Sequence, residues 1–177
     1  MDQIVFDIET KNSFADVGGQ ENLKKLEMSV TGLYSYKKDA YFCFGENELD
    51  NLGQILKESD LFVGFAIKRF DLPVLEKYFN FNLSIIPCFD ILEEIERSLG
   101  WRIGLGDLAK ANLGLEKTAA SLEAIEFYRQ GEMEKLKNYC LNDVRLTKGL
   151  YELLKSRGHL WIPQKFQTKM LKWEYQI

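Results

Sequence analysis

A small set of side chains in this 177-residue sequence could do chemistry together: Asp7, Glu9, Asp71, Tyr139 and Asp143. "QIVFDIETKN" runs an apolar strand into Asp7, Ile8 and Glu9. Residues two apart on a strand face one side, so the two carboxyls point together while Phe6 and Ile8 point away. A strand end that has reached solvent explains the pair about as well. Asp71 follows the apolar "LFVGF" and precedes a helical stretch. A helix N-cap accounts for it, with Pro73 in the first turn, and so does a site at the carboxyl end of a strand. Asp143 lies beside an apolar helical stripe through Leu136, Cys140, Leu150 and Leu154, where an acid is costly unless paired or bound to metal. No Lys or Arg shares that stripe within a turn. Tyr139 sits one turn earlier on the same face, and plain core is its simpler reading.

If these acids converge, they repel. Two unit charges ~4 Å apart cost ~4 kcal/mol at an effective dielectric near ~20. Protonation or divalent cations would relieve that cost. Carboxylates without His or Cys favour hard cations such as Mg²⁺ or Mn²⁺. Two such ions ~3.5–4 Å apart clamp the attacking and leaving oxygens of a phosphodiester.

The elements that must position these groups can be read from periodicity. Residues 3–8 form a first strand, and "FADVGG" at 14–19 is a loop with a short helix after it. "VTGLYSYKKDAYFCFG" is a hairpin turning at Lys38-Asp39. A helix covers 46–59, with Leu49, Leu52, Ile55 and Leu56 at helical spacing. A buried strand at 61–65, a helix from Asp71 to Tyr78, a strand at 84–89 and a helix from Asp90 to Leu99 follow. The second half is helical, at 105–114, at 118–131 and, longest, from Glu132 to Ser156, with Gly114, Gly131 and Gly158 as stops. Pro163 and the lysines 165, 169 and 172 predict a closing amphipathic helix in a tail of 163–177, set apart from a domain of 1–162. The fold class expected is α/β, a mixed sheet flanked by helices.

Composition bounds the function. The length suits one core. No apolar run approaches the ~20 residues of a membrane span, and the N-terminus lacks a signal peptide's regions, so a cytoplasmic protein is expected. The net charge of −4 is not the profile of a protein that coats nucleic acid. It leaves room for an enzyme that holds a few nucleotides through metal ions. Cys43, Cys88 and Cys140 show no CxxC spacing and read as small buried residues. With His159 far away in sequence, no zinc site is expected. "GWRIGLGDLAK" lacks the ending of a P-loop.

"IVFDIET", "VGFAIKRFDLPVL" and "YCLNDVRLT" resemble the three motifs of DEDD-superfamily 3′→5′ exonucleases, which have an RNase H-like fold. The resemblance runs from Ile4 to Trp161 and is closest to proofreading domains of family B DNA polymerases and to stand-alone or helicase-linked bacterial relatives. Tyr139, four residues before Asp143, is similar to the tyrosine subtype. The histidine subtype needs His where this chain has Asn138.

The resemblance implies a two-metal mechanism with Mg²⁺ or Mn²⁺. Asp7 would bridge both ions, Glu9 and Asp143 would hold the first, and Asp71 would reach the second. Tyr139 would position the attacking water. The implied partner is a nucleic acid with a free 3′ end, DNA before RNA, cut to nucleoside 5′-monophosphates. A helicase or polymerase partner stays open. Substrate contacts fall on Thr10, Phe14 and Lys117. Phe14 reads equally as a ring under the terminal base or as core, and Lys117 as a phosphate contact or a solvated lysine. Asp90 is similar to a further acid of relatives, though an N-cap explains it. One position departs from the family: relatives carry Asn five residues before the second-motif acid, and here it is Ala66. That change bears on substrate grip rather than metal chemistry. The rival expectation is an RNase H-like module that binds nucleic acid or a partner without cutting.

Overall fold

The computed structural model describes residues 1–115, 121–164 and 169–175. Strands β1 (Gln3–Thr10), β2 (Met28–Ser35), β3 (Ala40–Gly45), β4 (Leu61–Gly64) and β5 (Cys88–Asp90) form one mixed sheet in the order β3-β2-β1-β4-β5. β1 runs antiparallel to β2 and parallel to β4, and so lies where the strand directions change. The β2–β3 hairpin turns where expected, with Asp39 in the left-handed region at φ +46. Helices α1 (Leu49–Lys57), α2 (Asp71–Leu75), α3 (Ile91–Leu99), α4 (Leu105–Leu113), α5 (Ser121–Arg129) and α6 (Met133–Arg157) cover the two faces. This is the α/β fold of a mixed sheet flanked by helices.

Strand alternation divides the core. Ile4, Phe6 and Ile8 point to one face, where they pack with Leu33, Phe62 and the α1 and α2 side chains Leu52, Leu56, Val74 and Leu75. Val5 points to the other, where Val63, Leu150, Tyr151 and Leu154 join residues of α3 and α4. Asp7 and Glu9 follow Val5 at period two, so they lie on the face that α6 crosses. Gly32 and Gly149 permit the close approach of α6. A Cβ at Gly32 would lie 2.9 Å from Cys140 Sγ, and one at Gly149 would lie 2.9 Å from Leu113 Cδ1.

Three expectations are corrected. The strand expected at 84–89 is later and shorter, because Leu83–Ile85 form a 3-10 turn before Pro87 and pairing starts at Cys88. Asp71 does not cap α2, since it is the first helical residue and Phe70 holds the cap position. The closing helix is not formed in the described part of the tail. His159–Ile162 (β6) and Leu171–Glu174 (β7) make an antiparallel hairpin instead. "LKWE" alternates at period two, with Trp173 buried in the α6 core and Lys172 paired outside to Glu174 at 2.7 Å. Lys172, one of the lysines that suggested a helix, lies on the solvent side of this hairpin, and Trp173 returns the chain to the core of the domain; Lys165 lies outside the described residues. Among the described residues, no helix is long and apolar enough to cross a membrane.

Candidate active site

β1 outruns its parallel neighbour. Pairing with β4 ends at Val5↔Val63, and β4 itself ends at Gly64, while β1 continues to Thr10. The exposed edge of β1 needs partners from elsewhere. Asp71 supplies one, its carboxylate accepting the Ile8 N–H at 2.9 Å. The acid expected as a cap thus ties α2 to the end of β1, beside Asp7 and Glu9.

The segment between β4 and α2 is tightly folded. Gly64 has no room for a side chain, since a Cβ there would lie 2.2 Å from Ile67 Cγ2. Ala66 is held at φ +68. Its N–H donates to Asp90 Oδ1 at 2.9 Å, and the Lys68 N–H donates to Asp90 Oδ2 at 3.0 Å. Asp90, fully buried, also accepts from Glu93 N as the cap of α3. It is therefore a structural clamp on this segment. An alanine in the left-handed region costs ~1–2 kcal/mol, so Ala66→Gly should stabilise the protein by about 0.5–1 kcal/mol after the entropic cost of glycine. Denaturant melts of the two proteins check this.

Asp7, Glu9, Asp71 and Asp143, brought from β1, α2 and α6, line one cavity of 470 Å³. Thr10 and Phe14 line it as well. The Thr10 hydroxyl donates to the Asn12 carbonyl at 2.8 Å and so shapes the loop after β1. Phe14 meets Phe70 edge-on at 5.9 Å, which makes it both core and cavity wall. That loop is pinned above the cavity: Ser13 and Arg129 of α5 both reach Asp16 Oδ2, at 2.7 and 2.9 Å. Tyr139 is not brought into this lining. It lies 3 % exposed on α6, one turn before Asp143, and lines a neighbouring groove between α5 and α6 with Asn138, Asn142 and Arg145. Lys117 lies outside the described residues. Sequence reasoning missed Leu26, Phe65, Phe70 and Ile125, which make the cavity's apolar wall. They come from three separate stretches, and only Phe65 and Phe70, in the segment leading to Asp71, carried a local signal.

No lysine or arginine is among the described residues that line the cavity, although several carboxylates do. Burial pushes the Asp71 carboxyl up from its usual 3.8 to about 7, and the charges of Asp90 and Asp143 push the same way, against the Ile8 N–H. Oxygens of Asp7 and Glu9 and the Cys140 sulfur lie within 4.8 Å of one another, close enough to share one ion. A carboxylate-rich lining without cations of its own fits hard divalent metals.

Asp71 makes that electrostatic state measurable. Its folded pKa is raised, so its stability contribution is complete below the unfolded value and is lost as pH rises toward 7. In EDTA, Asp71→Asn should gain about 2–3 kcal/mol on the wild type between about pH 5 and about pH 7.5. Saturating Mn²⁺ should remove most of that gap. Urea titrations at both pH values read it out.

The chain belongs to the RNase H superfamily, whose RNase_H_2 family profile matches residues 4–155. None of the curated proteins compared with it matches. Among solved structures it is similar to the family B DNA polymerase of the hyperthermophilic archaeon Pyrobaculum calidifontis. The TM-score is 0.64 over 87% of this chain, at 16% sequence identity, and the match covers 24% of that polymerase chain. At that identity the likeness shows the fold.

Proposed function

We propose that this protein is a metal-dependent 3′→5′ exonuclease that removes nucleoside 5′-monophosphates from single-stranded nucleic acid, DNA in preference to RNA. The observation that carries the reading is the convergence of Asp7, Glu9, Asp71 and Asp143, from separate elements, on one cavity with an apolar wall. Superfamily membership and the structural likeness to a DNA polymerase support a nuclease.

In this reading Asp7, Glu9, Asp71 and Asp143 hold two divalent cations, Mg²⁺ or Mn²⁺, which supply Lewis acidity and neutralise charge at the phosphodiester. β1 gives Asp7 and Glu9 a rigid seat, and the Asp71–Ile8 bond fixes α2 against it. Phe14 and Phe70 offer a wall on which the terminal base stacks. Tyr139, one turn before Asp143 on α6, is the residue that would position the attacking water.

The test uses 5′-labelled single-stranded DNA and RNA with Mn²⁺, beside Asp7→Ala. A ladder shortening stepwise from the 3′ end, absent in the variant, is expected. Binding without any ladder on either substrate would instead mark a non-cutting nucleic-acid module.

A further inference from the structure

Asp7, Gly32 and Cys43 form a row across β1, β2 and β3, since Asp7 pairs with Gly32 and Gly32 with Cys43. Directly paired residues on neighbouring strands point to the same face, here the face under α6. Gly32 leaves a gap in the row, and the Cys140 sulfur fills it. The Gly32 N–H donates to Cys140 Sγ at 3.1 Å. On one side the Cys140 thiol donates to the Asp7 carbonyl at 3.4 Å and lies 3.8 Å from the Asp7 carboxylate. On the other, Cys43 packs against the cluster that holds Cys140. Cys140 is fully buried, whereas Cys43 is part-exposed and open to a small oxidant.

We propose that Cys43 and Cys140 are a peroxide-oxidisable thiol pair whose disulfide disables the neighbouring carboxylate site. The Cys43 sulfur attacks one oxygen of hydrogen peroxide. The S–O bond forms, the O–O bond breaks, and the departing hydroxide takes the Cys43 proton to become water. The Cys140 sulfur then attacks Cys43. The S–S bond forms, the S–O bond breaks, and hydroxide leaves with the Cys140 proton as a second water. Two thiols have given two electrons to one peroxide. Cys43 is the attacking group because it is the sulfur of the pair that a small oxidant can reach, Cys140 being fully buried. Cys88 is pushed up to about 12 by burial.

Closing the bond shortens the sulfur–sulfur separation to ~2.05 Å. The Cys140 sulfur must leave the Gly32 N–H and the Asp7 carbonyl, and α6 is drawn toward β3. Asp143, three residues on, moves with the helix. The consequence for catalysis rests on the nuclease reading above, whereas the thiol chemistry does not.

Peroxide-treated and untreated protein are denatured, alkylated and weighed, and the same samples are melted with and without Mn²⁺ and assayed on labelled DNA. Untreated protein should take three labels, one per cysteine. Treated protein should take a single label, at Cys88, stay monomeric, and regain the rest with dithiothreitol. The nuclease rate should fall roughly tenfold to a hundredfold and the Mn²⁺ melting shift should shrink. Cys43→Ser should keep its rate through the same treatment. Full labelling after peroxide, loss at Cys88, or over-oxidised Cys43 beside a labelled Cys140 would overturn the pair. A disulfide that leaves the Mn²⁺ shift unchanged would overturn the switch. Reduced protein with neither activity nor an Mn²⁺ shift overturns the metal-site reading and the switch with it, and the label count still decides the pair.

Discussion

Asp143→Asn is expected to lose nuclease activity by at least ~10³-fold, as removing several kcal/mol of metal-borne charge stabilisation requires, and yet to melt higher than the wild type in EDTA. The two effects share one cause. Asp143 is 2 % exposed and Asp71 is 3 % exposed, and both face the same cavity. The Asp143 charge is one of the influences that raise the Asp71 pKa. Without metal, the folded state therefore bears mutual repulsion among buried carboxylates. A neutral amide of the same shape relieves about 1–2 kcal/mol of it, or roughly 2–6 °C in a protein of this size. Mn²⁺ should stabilise the wild type as a ligand of the folded state and the variant much less, so the melting order reverses on adding metal. The Asp71 pKa should also fall in the variant. A site whose carboxylates were stabilised by protein partners alone would show the opposite, with Asp143→Asn melting lower in EDTA and Mn²⁺ shifting both proteins equally.

What could be read from the sequence follows from how local each signal is. β1 and α6 announced themselves by periodicity, and with them the facing of Asp7, Glu9 and Asp143 (period two on one element, period 3.6 on the other). Asp71 was placed correctly at the start of a helix after β4, but it is not the helix cap. Its partner, the Ile8 N–H, is 63 residues away and can donate to a side chain only because β4 is shorter than β1. The hairpin of β6 and β7 was missed for a similar reason. Each strand is four residues long and is defined by its partner, so the lysine spacing offered a stronger local pattern than the alternation in "LKWE". Alanine carries no left-handed preference, so the strain at Ala66 left no mark in the sequence. The packing of Cys43 near Cys140 was invisible because spacing rules look along one segment, and the two come together beside Gly32 on a third.

Gly32 is also where a single methyl outside the cavity should disturb the site through α6. An alanine Cβ there lies 2.9 Å from Cys140 Sγ, 3.3 Å from Leu141 Cδ2 and 3.3 Å from Val144 Cγ2. All three belong to α6, which is anchored further along by Leu150, Tyr151 and Leu154 in the core. The N-terminal half of the helix must lift while the rest stays. Overpacking of this kind costs about 1–3 kcal/mol. Asp143 sits within the lifted stretch, so its carboxylate leaves the position that β1 and α2 complement, and a displacement near ~1 Å is enough to lower the rate by ~10²-fold. Gly32→Ala should therefore lose both stability and activity, although the atoms nearest its new methyl lie outside the cavity lining. Cys140→Ala removes the nearest atom. The double variant Gly32→Ala/Cys140→Ala should recover at least part of both losses, with a coupling of about 1 kcal/mol or more in a double-mutant cycle. If the two substitutions were simply additive, α6 would not be seated on Gly32, and the close approach of helix and sheet would not be what places Asp143 opposite Asp7.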